Sequence, residues 1–140
     1  MPGMDAASRL ADFRPAEAPS PKLLYAVDAR LTPSSPVTDI ALLTSLTAAA
    51  VADGGGHVLD TSHVIFPNGA ITLVLILAES HLSIHTWPEE DLIAIDLFSC
   101  GTIDGEAVIS GLTRSLRLEA VAVRRLGRGA VPGGAGGRPE

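Results

Sequence analysis

The residues best suited to chemistry stand close together in the middle of the chain, between two strongly apolar runs. The first run is AITLVLILA, residues 70–78, and the second, IAIDLFSCG, ends just after the only cysteine, Cys100. Between them, the segment ESHLSIHTWPE, residues 79–89, carries three hydroxyls, two imidazoles and two carboxylates. Packing of two core strands requires none of these groups, so the segment indicates a functional site.

The same region also allows ordinary structural explanations. A lone cysteine at a strand end is most often a small buried hydrophobe, and this reading stays open for Cys100. Thr72 can be only a β-branched strand residue, and Phe66 and Trp87 can be core aromatics. Residue type alone does not decide between packing and chemistry at these positions.

The spacing of the two histidines can be tested against a metal site. His81 and His85 have the i, i+4 spacing of a helical zinc site, but in a strand they would lie ~13 Å apart, so no metal is predicted. In such a strand they share one face, whereas alternation places Ser80 on the other. The chain must therefore bend, or be cut, at Ser80.

The run ESHLSIHTWPE followed by AIDLFSCG resembles the bacterial S-adenosylmethionine decarboxylases, which make their own pyruvoyl cofactor. The resemblance runs from Leu23 to Gly127 and is strongest between Phe66 and Gly101. Two departures stand out: PKL at residues 21–23 replaces the family's Gly-Arg-His, and EDL at residues 90–92 replaces Tyr-Gly-Tyr. Both fall outside the residues that the family uses for self-processing, so they bear on substrate choice.

The resemblance implies that the chain cuts itself at Ser80. An amino-acid decarboxylase must hold the electron pair left by carbon dioxide, and because ordinary side chains cannot, such enzymes use an electrophilic carbonyl cofactor. By resemblance, the Ser80 hydroxyl attacks the carbonyl carbon of Glu79, and elimination from the resulting ester leaves a pyruvoyl group at the new N-terminus. The products would be residues 1–79 and 80–140. The implied cofactor is this pyruvoyl group, with no metal and no pyridoxal phosphate.

The resemblance also implies a role for five other residues. Thr72 matches a hydroxyl residue used in processing, where it can donate to the developing oxyanion. His85 matches the processing histidine, a base suited to the elimination step. Cys100 matches the thiol that returns a proton to the substrate α-carbon. Phe66 matches a ring that stacks on adenine, and Glu89 matches the carboxylate that accepts hydrogen bonds from the ribose hydroxyls.

Other functions remain open from the sequence. A related pyruvoyl-dependent decarboxylase of L-ornithine or L-arginine would use carboxylates such as Glu90-Asp91 to hold a distal cation. Phe66 and Glu89 favour adenosylmethionine instead, because its sulfonium stands beside an aromatic base and a ribose. A non-catalytic regulatory homologue, or a thiol hydrolase built on Cys100 and His85, would keep an uncut chain without a carbonyl group.

Hydrophobic periodicity predicts the elements that hold these residues. Residues 1–21 are predicted to be a disordered extension, residues 22–126 one domain and residues 127–140 a disordered tail. The predicted strands are Leu23–Ala29, His57–Phe66, Ile71–Ala78, His81–Thr86, Ile93–Phe98 and Ala120–Leu126. The predicted helices are Asp39–Ala52, capped by Thr38 or a neighbouring Ser, and Gly105–Leu118, capped by Asp104.

The order β-α-β-β-β-β-α-β predicts an α+β fold, a two-layer sandwich with two helices on one face of a mainly antiparallel sheet. The other face needs a cover, and the resemblance implies a second copy, hence a homodimer of processed chain pairs acting on a small-molecule substrate. A net charge of −6 argues against nucleic acid or an anionic membrane as a partner. The apolar run is too short for a bilayer, and a single cysteine suits the cytoplasm.

Overall fold

The computed structural model describes Leu10 and residues 20–133. Its strands are β1 Lys22–Arg30, β2 Val58–Ile65, β3 Ile71–Leu77, β4 Ser80–Trp87, β5 Leu92–Ser99 and β6 Glu119–Arg128. Its helices are α1 Ile40–Asp53 and α2 Gly105–Ser115, and a 3-10 turn, Pro88–Glu90, joins β4 to β5. The strands form one sheet in the order β2-β3-β4-β5-β1-β6, in which every neighbouring pair is antiparallel. The predicted α+β class and element order are confirmed.

Alternating burial shows which face of the sheet is the core. In β3 the sequence ITLVLIL buries every second side chain, from Ile71 to Leu77, and β5 buries Ile93, Ile95 and Leu97 in the same way. These side chains form one hydrophobic cluster with residues of both helices. Both helices therefore cover the same face, as predicted, and the period of two along the strands fixes which residues point away from it.

The predicted cap of α1 is wrong by one residue. The Asp39 carboxylate, not Thr38 or a serine, accepts hydrogen bonds from the backbone N–H groups of Ala41 and Leu42, at 3.0 and 3.1 Å. The helix begins at Ile40, so Asp39 directly precedes the N–H groups that lack a partner in the first turn. The predicted Asp104 cap of α2 is confirmed by its bond from Ala107 N at 3.1 Å.

The C-terminal elements also differ from their predicted bounds. Helix α2 ends at Ser115 rather than Leu118, because Arg117 adopts a left-handed φ of 54° that reverses the chain into β6. Strand β6 continues to Arg128, so the predicted tail begins inside a strand. Most of the predicted N-terminal extension, and residues 134–140 of the predicted tail, lie outside the described residues.

A glycine run joins the end of α1 to the loop that follows β5. Gly55 has a φ of 88°, and a Cβ there would lie 2.4 Å from the Thr102 carbonyl oxygen, so only glycine fits. Asp104 N donates to the Gly54 carbonyl at 2.7 Å. These contacts hold residues 101–104, and hence the end of β5, against α1.

The sheet face opposite the helices carries several large apolar side chains. They are Val64 of β2, Ile76 of β3, Trp87 of β4 and Leu126 of β6, each more than a third exposed. Neither α1 nor α2 is long and apolar enough to cross a membrane, nor is any other helix in the described part of the chain.

Candidate active site

The predicted cut site lies in the turn of the β3–β4 hairpin. Leu77 pairs with Ser80, so Ala78 and Glu79 are the two turn residues. Glu79 has a φ of 61°, a left-handed conformation that is unfavourable for any residue with a Cβ. Ser80 follows as the first residue of β4, and its Oγ atom is buried without a hydrogen-bond partner among the described residues. The bend expected at Ser80 is this turn.

The Cys100 thiol lies directly against the turn. Its Sγ donates a hydrogen bond to the Glu79 carbonyl oxygen at 2.9 Å, and the side chain is buried. Burial raises the pKa of the thiol, the Glu79 carboxylate raises this pKa further, and Lys22 lowers it. The protonated thiol is therefore favoured, and it contacts the carbonyl group of the peptide bond that precedes Ser80.

Thr72 and His85 form a second group on the neighbouring part of the same two strands. They are directly opposite each other in the β3–β4 register, and Thr72 Oγ1 shares a hydrogen bond of 3.2 Å with His85 Nδ1. The imidazole of His85 also lies 6.2 Å from the Trp87 ring, measured between ring centres. This second group faces away from the helices.

The second group lines a cleft of about 280 Å³ whose walls include Phe66, Ala70, Thr72, His85 and Trp87. Phe66 is 46% exposed and Trp87 is 38% exposed, so the reading of these two rings as core aromatics is wrong. Both rings are available to a planar ligand.

Glu89 is linked to the rim of this cleft by a residue that the sequence did not single out. Asn68, which lines the cleft, donates from Nδ2 to Glu89 Oε2 at 3.4 Å. Asn68 lies in the turn between β2 and β3, where its Oδ1 accepts a hydrogen bond from Ala70 N at 3.1 Å. The signal that could have identified it is its place beside Phe66, at the end of β2.

One chain does not bring the two groups together. His85 lies five residues beyond Ser80 along the single strand β4, a separation of ~17 Å. In β4 the side chains of Leu82 and Ile84 point to the buried face, and alternation places Ser80 on this face too. His85 points to the opposite face, with His81. Ser80 and Cys100 therefore form one cluster with Glu79, and Thr72 and His85, the residues expected to act in processing, form another.

Comparison with known proteins identifies relatives of the chain. The family model for S-adenosylmethionine decarboxylase matches residues 24–129. "S-adenosylmethionine decarboxylase proenzyme 2" of Bacillus cereus is 41% identical over 76 residues, which are 54% of this chain and 62% of that protein. The match thus spans less than two thirds of that relative. The corresponding proenzyme of Symbiobacterium thermophilum is 38% identical over 104 residues, 74% of this chain and 79% of that protein.

A solved structure has the same fold. The crystal structure of the adenosylmethionine decarboxylase from Aquifex aeolicus superposes with a TM-score of 0.67 at 23% sequence identity, covering 81% of this chain and 95% of that one. At this identity the likeness is one of fold. The family match covers most of the chain, from the third residue of β1 past the end of β6. The chain therefore belongs to the S-adenosylmethionine decarboxylase family.

Proposed function

We propose that the chain is a self-processing, pyruvoyl-dependent decarboxylase of S-adenosylmethionine that supplies aminopropyl groups for spermidine synthesis in the cytoplasm. The observation that carries this proposal is the arrangement at the β3–β4 turn. A buried Ser80 hydroxyl, which has no hydrogen-bond partner in the described part of the chain, adjoins a peptide carbonyl that accepts a hydrogen bond from Cys100. Family membership of the chain supports the same reading.

The cluster of Ser80, Glu79 and Cys100 suits the acyl shift. Ser80 Oγ attacks the carbonyl carbon of Glu79, the C–N bond between the two residues breaks, and an ester forms with a released amino group. The bond from Cys100 Sγ draws electron density toward the Glu79 oxygen as it becomes an oxyanion. The strained φ of Glu79 raises the energy of the uncut turn. Both features favour cleavage at this bond over its neighbours.

After cleavage the same thiol serves the decarboxylation. A pyruvoyl group derived from Ser80 supplies the carbonyl that accepts electrons when carbon dioxide leaves. The residues around it fit such a group, because Ser80 Oγ is already buried and Cys100 lies beside the same peptide bond. Cys100 Sγ holds the proton that the substrate α-carbon takes up.

The pair of Thr72 and His85 completes the site from another copy of the chain. His85 is too far from Ser80 in its own strand to remove a proton there, since the separation is ~17 Å. A second copy laid against the exposed face of the sheet would cover Val64, Ile76 and Trp87, and would bring its own Thr72–His85 pair to this site. In that pair the Nδ1 bond leaves Nε2 as the nitrogen that exchanges a proton. We therefore propose a homodimer with shared sites.

The cleft favours adenosylmethionine as the substrate. Phe66 and Trp87 offer aromatic faces to adenine and to the sulfonium, and the Glu89 carboxylate at the rim offers acceptors to ribose hydroxyls. L-Ornithine and L-arginine have no ring to stack, so the exposed aromatic walls would add little to their binding affinity.

The test begins with replacement of Ser80 by Ala. Purified wild type should give fragments of residues 1–79 and 80–140 on a denaturing gel, whereas the Ser80→Ala chain should stay whole. Ser83→Ala is the matched control, because it removes a hydroxyl from the same strand and should still be cut. An uncut wild type, or a cut Ser80→Ala chain, would refute self-processing at this bond.

The substrate is tested separately by release of carbon dioxide. Adenosylmethionine, ornithine and arginine are offered side by side to the processed protein, with the Ser80→Ala chain as the blank. Release should be fastest from adenosylmethionine. Faster release from either basic amino acid would contradict the assigned substrate while leaving the processing intact.

A further inference from the structure

Cys100 has a charged neighbour on each side across the end of the sheet. Leu23 pairs with Ser99, so one further step along that ladder sets Cys100 opposite Lys22. His81 pairs with Phe98, so two further steps along the other ladder set Cys100 opposite Glu79. Residues facing each other across antiparallel strands have Cα atoms about 5 Å apart. Gly101 N, just after the thiol, donates to Ser20 Oγ at 2.9 Å, which ties the start of β1 to this loop.

Lys22 forms no ion pair with a carboxylate among the described residues, since none lies within 4.0 Å of its amine. It is the only lysine in the chain. Its stem packs where the chain leaves β6, since a Cβ on Gly129 would meet Lys22 Cδ at 3.2 Å.

The charged groups around the thiol come from several elements. Glu79 of the turn raises the pKa of Cys100, and Lys22 of β1 lowers it. Two further charged or titratable groups lie around Phe98, two residues before Cys100. Arg128 of β6 lies 5.7 Å from the centre of the Phe98 ring, and His81 of β4 stacks on that ring at 6.3 Å. Among these, Lys22 is the cation with a resolved effect on the thiol.

We infer that Lys22 is a positioning residue for Cys100, placed so that its ammonium group stabilises the thiolate left behind when the thiol gives up its proton. In that step the S–H bond breaks, the proton moves to the substrate α-carbon, and the electron pair stays on sulfur until solvent returns a proton. The identity of the proton acceptor rests on the proposed function, whereas the interaction between the ammonium group and the thiolate is independent of that function.

The experiment measures the thiol itself. Because Cys100 is the only cysteine, the rate of alkylation by iodoacetamide against pH reports its ionisation alone. The measurement uses the full-length Ser80→Ala chain, in which Glu79 remains joined to residue 80. Replacement Lys22→Gln should move the inflection of the rate profile upward by roughly 0.5–1 pH unit, because a nearby cation favours the thiolate. The rate of alkylation at pH 7 should fall roughly three- to tenfold, because a shift of that size reduces the thiolate fraction by this factor.

Two further variants make the result specific. Lys22→Arg keeps the charge and should keep the wild-type profile, even if Lys22→Gln folds poorly. Arg30→Gln is the matched control, because it removes a positive charge from the far end of the same strand, ~26 Å away and beyond the Debye length of ~8–10 Å. It should leave the inflection unchanged.

The outcomes separate the inference from its alternatives. An unchanged profile in Lys22→Gln would overturn the inference, and so would an Arg30→Gln shift as large as that of Lys22→Gln, since net charge would then explain both. A shifted profile in Lys22→Arg would overturn it too. If the Ser80→Ala chain proves to be cut, self-processing as proposed fails, but the alkylation comparison remains valid.

Discussion

At the residue scale, Cys100 adjoins both reactions that we propose for this chain. Its Sγ–H bonds the Glu79 carbonyl before cleavage, and the same proton is the one needed by the substrate afterwards. A buried thiol whose pKa is raised retains that proton near neutral pH. One side chain thus serves as a hydrogen-bond donor in the first reaction and as an acid in the second.

Replacement of Cys100 by Ala should therefore slow cleavage as well as turnover. Loss of one hydrogen bond to the forming oxyanion should slow the appearance of the two fragments by roughly three- to tenfold, as followed on a denaturing gel. Turnover should fall further, because no proton donor remains. Cys100→Ser keeps a donor group and should be cut faster than the Ala variant. Cleavage of Cys100→Ala at the wild-type rate would show that the 2.9 Å contact has no part in processing.

At the element scale, the β3–β4 hairpin holds a strained residue next to the bond to be cut. Glu79→Gly should relieve the cost of its φ of 61° and stabilise the uncut Ser80→Ala chain by roughly 0.5–1 kcal/mol. Glu79→Ala is the matched control, since it removes the same carboxylate without allowing that φ. Urea unfolding of both variants measures the difference. A glycine variant no more stable than the alanine variant would mean that the turn is not strained.

Helix α2 offers a second prediction at this scale. Gly105 begins the helix against the buried Tyr25 ring, and a Cβ there would lie 2.2 Å from Tyr25 Cε1. Gly105→Ala should therefore cost about 1–3 kcal/mol through overpacking, despite the better helix propensity of alanine. In the same helix a Cβ at Gly111 would meet Ala50 Cβ at 3.5 Å, an ordinary contact. Gly111→Ala should stabilise the chain by about 0.5–1 kcal/mol, and thermal unfolding of the two variants should show opposite signs.

Much of the fold could be predicted because its signals are local. Alternation in ITLVLIL and the Asp104 cap each depend on a few adjacent residues, and all six predicted strands lie within two residues of their observed bounds. The α1 cap lies at Asp39 rather than Thr38 because both of these adjacent polar residues can cap a helix, and local sequence does not rank them.

The site was less predictable because it depends on register. The position of Lys22 opposite Cys100, and of Asn68 beside Glu89, follows from pairings between distant parts of the chain. The resemblance assigned tasks to Ser80 and His85 together, whereas strand geometry separates them by ~17 Å. Distances of that kind follow from pairing and strand length rather than from residue type.

At the scale of the whole molecule, the chain carries two half-sites on one sheet. Ser80, Glu79 and Cys100 stand at one end of β4, and Thr72 and His85 stand five residues away on the exposed face. That face also bears the exposed apolar side chains of β2, β3, β4 and β6. A second copy would cover the apolar surface and unite the half-sites in one arrangement.

The shared site predicts that two inactive variants restore each other. Ser80→Ala lacks the attacking hydroxyl but keeps His85, and His85→Ala keeps the hydroxyl but lacks the base. Neither chain should be cut efficiently when it is produced alone. When they are produced together, mixed dimers contain one site with Ser80 from one chain and His85 from the other, so part of the His85→Ala chains should be cut. Mass spectrometry identifies the product, because its 80–140 fragment carries the mass change of Ala at position 85.

The control pairs Ser80→Ala with a chain that carries both His85→Ala and Ser80→Ala. Mixed dimers of this pair contain no hydroxyl at position 80 and should give no fragment. An affinity tag on one chain verifies that mixed dimers form in both experiments. Mixed dimers without cleavage, full-rate cleavage of His85→Ala alone, or a wild type that sediments as a monomer would each contradict the shared site. Restored cleavage would mean that the catalytic unit is the pair of chains, because the ~17 Å between Ser80 and His85 in β4 is too long for one chain to bridge.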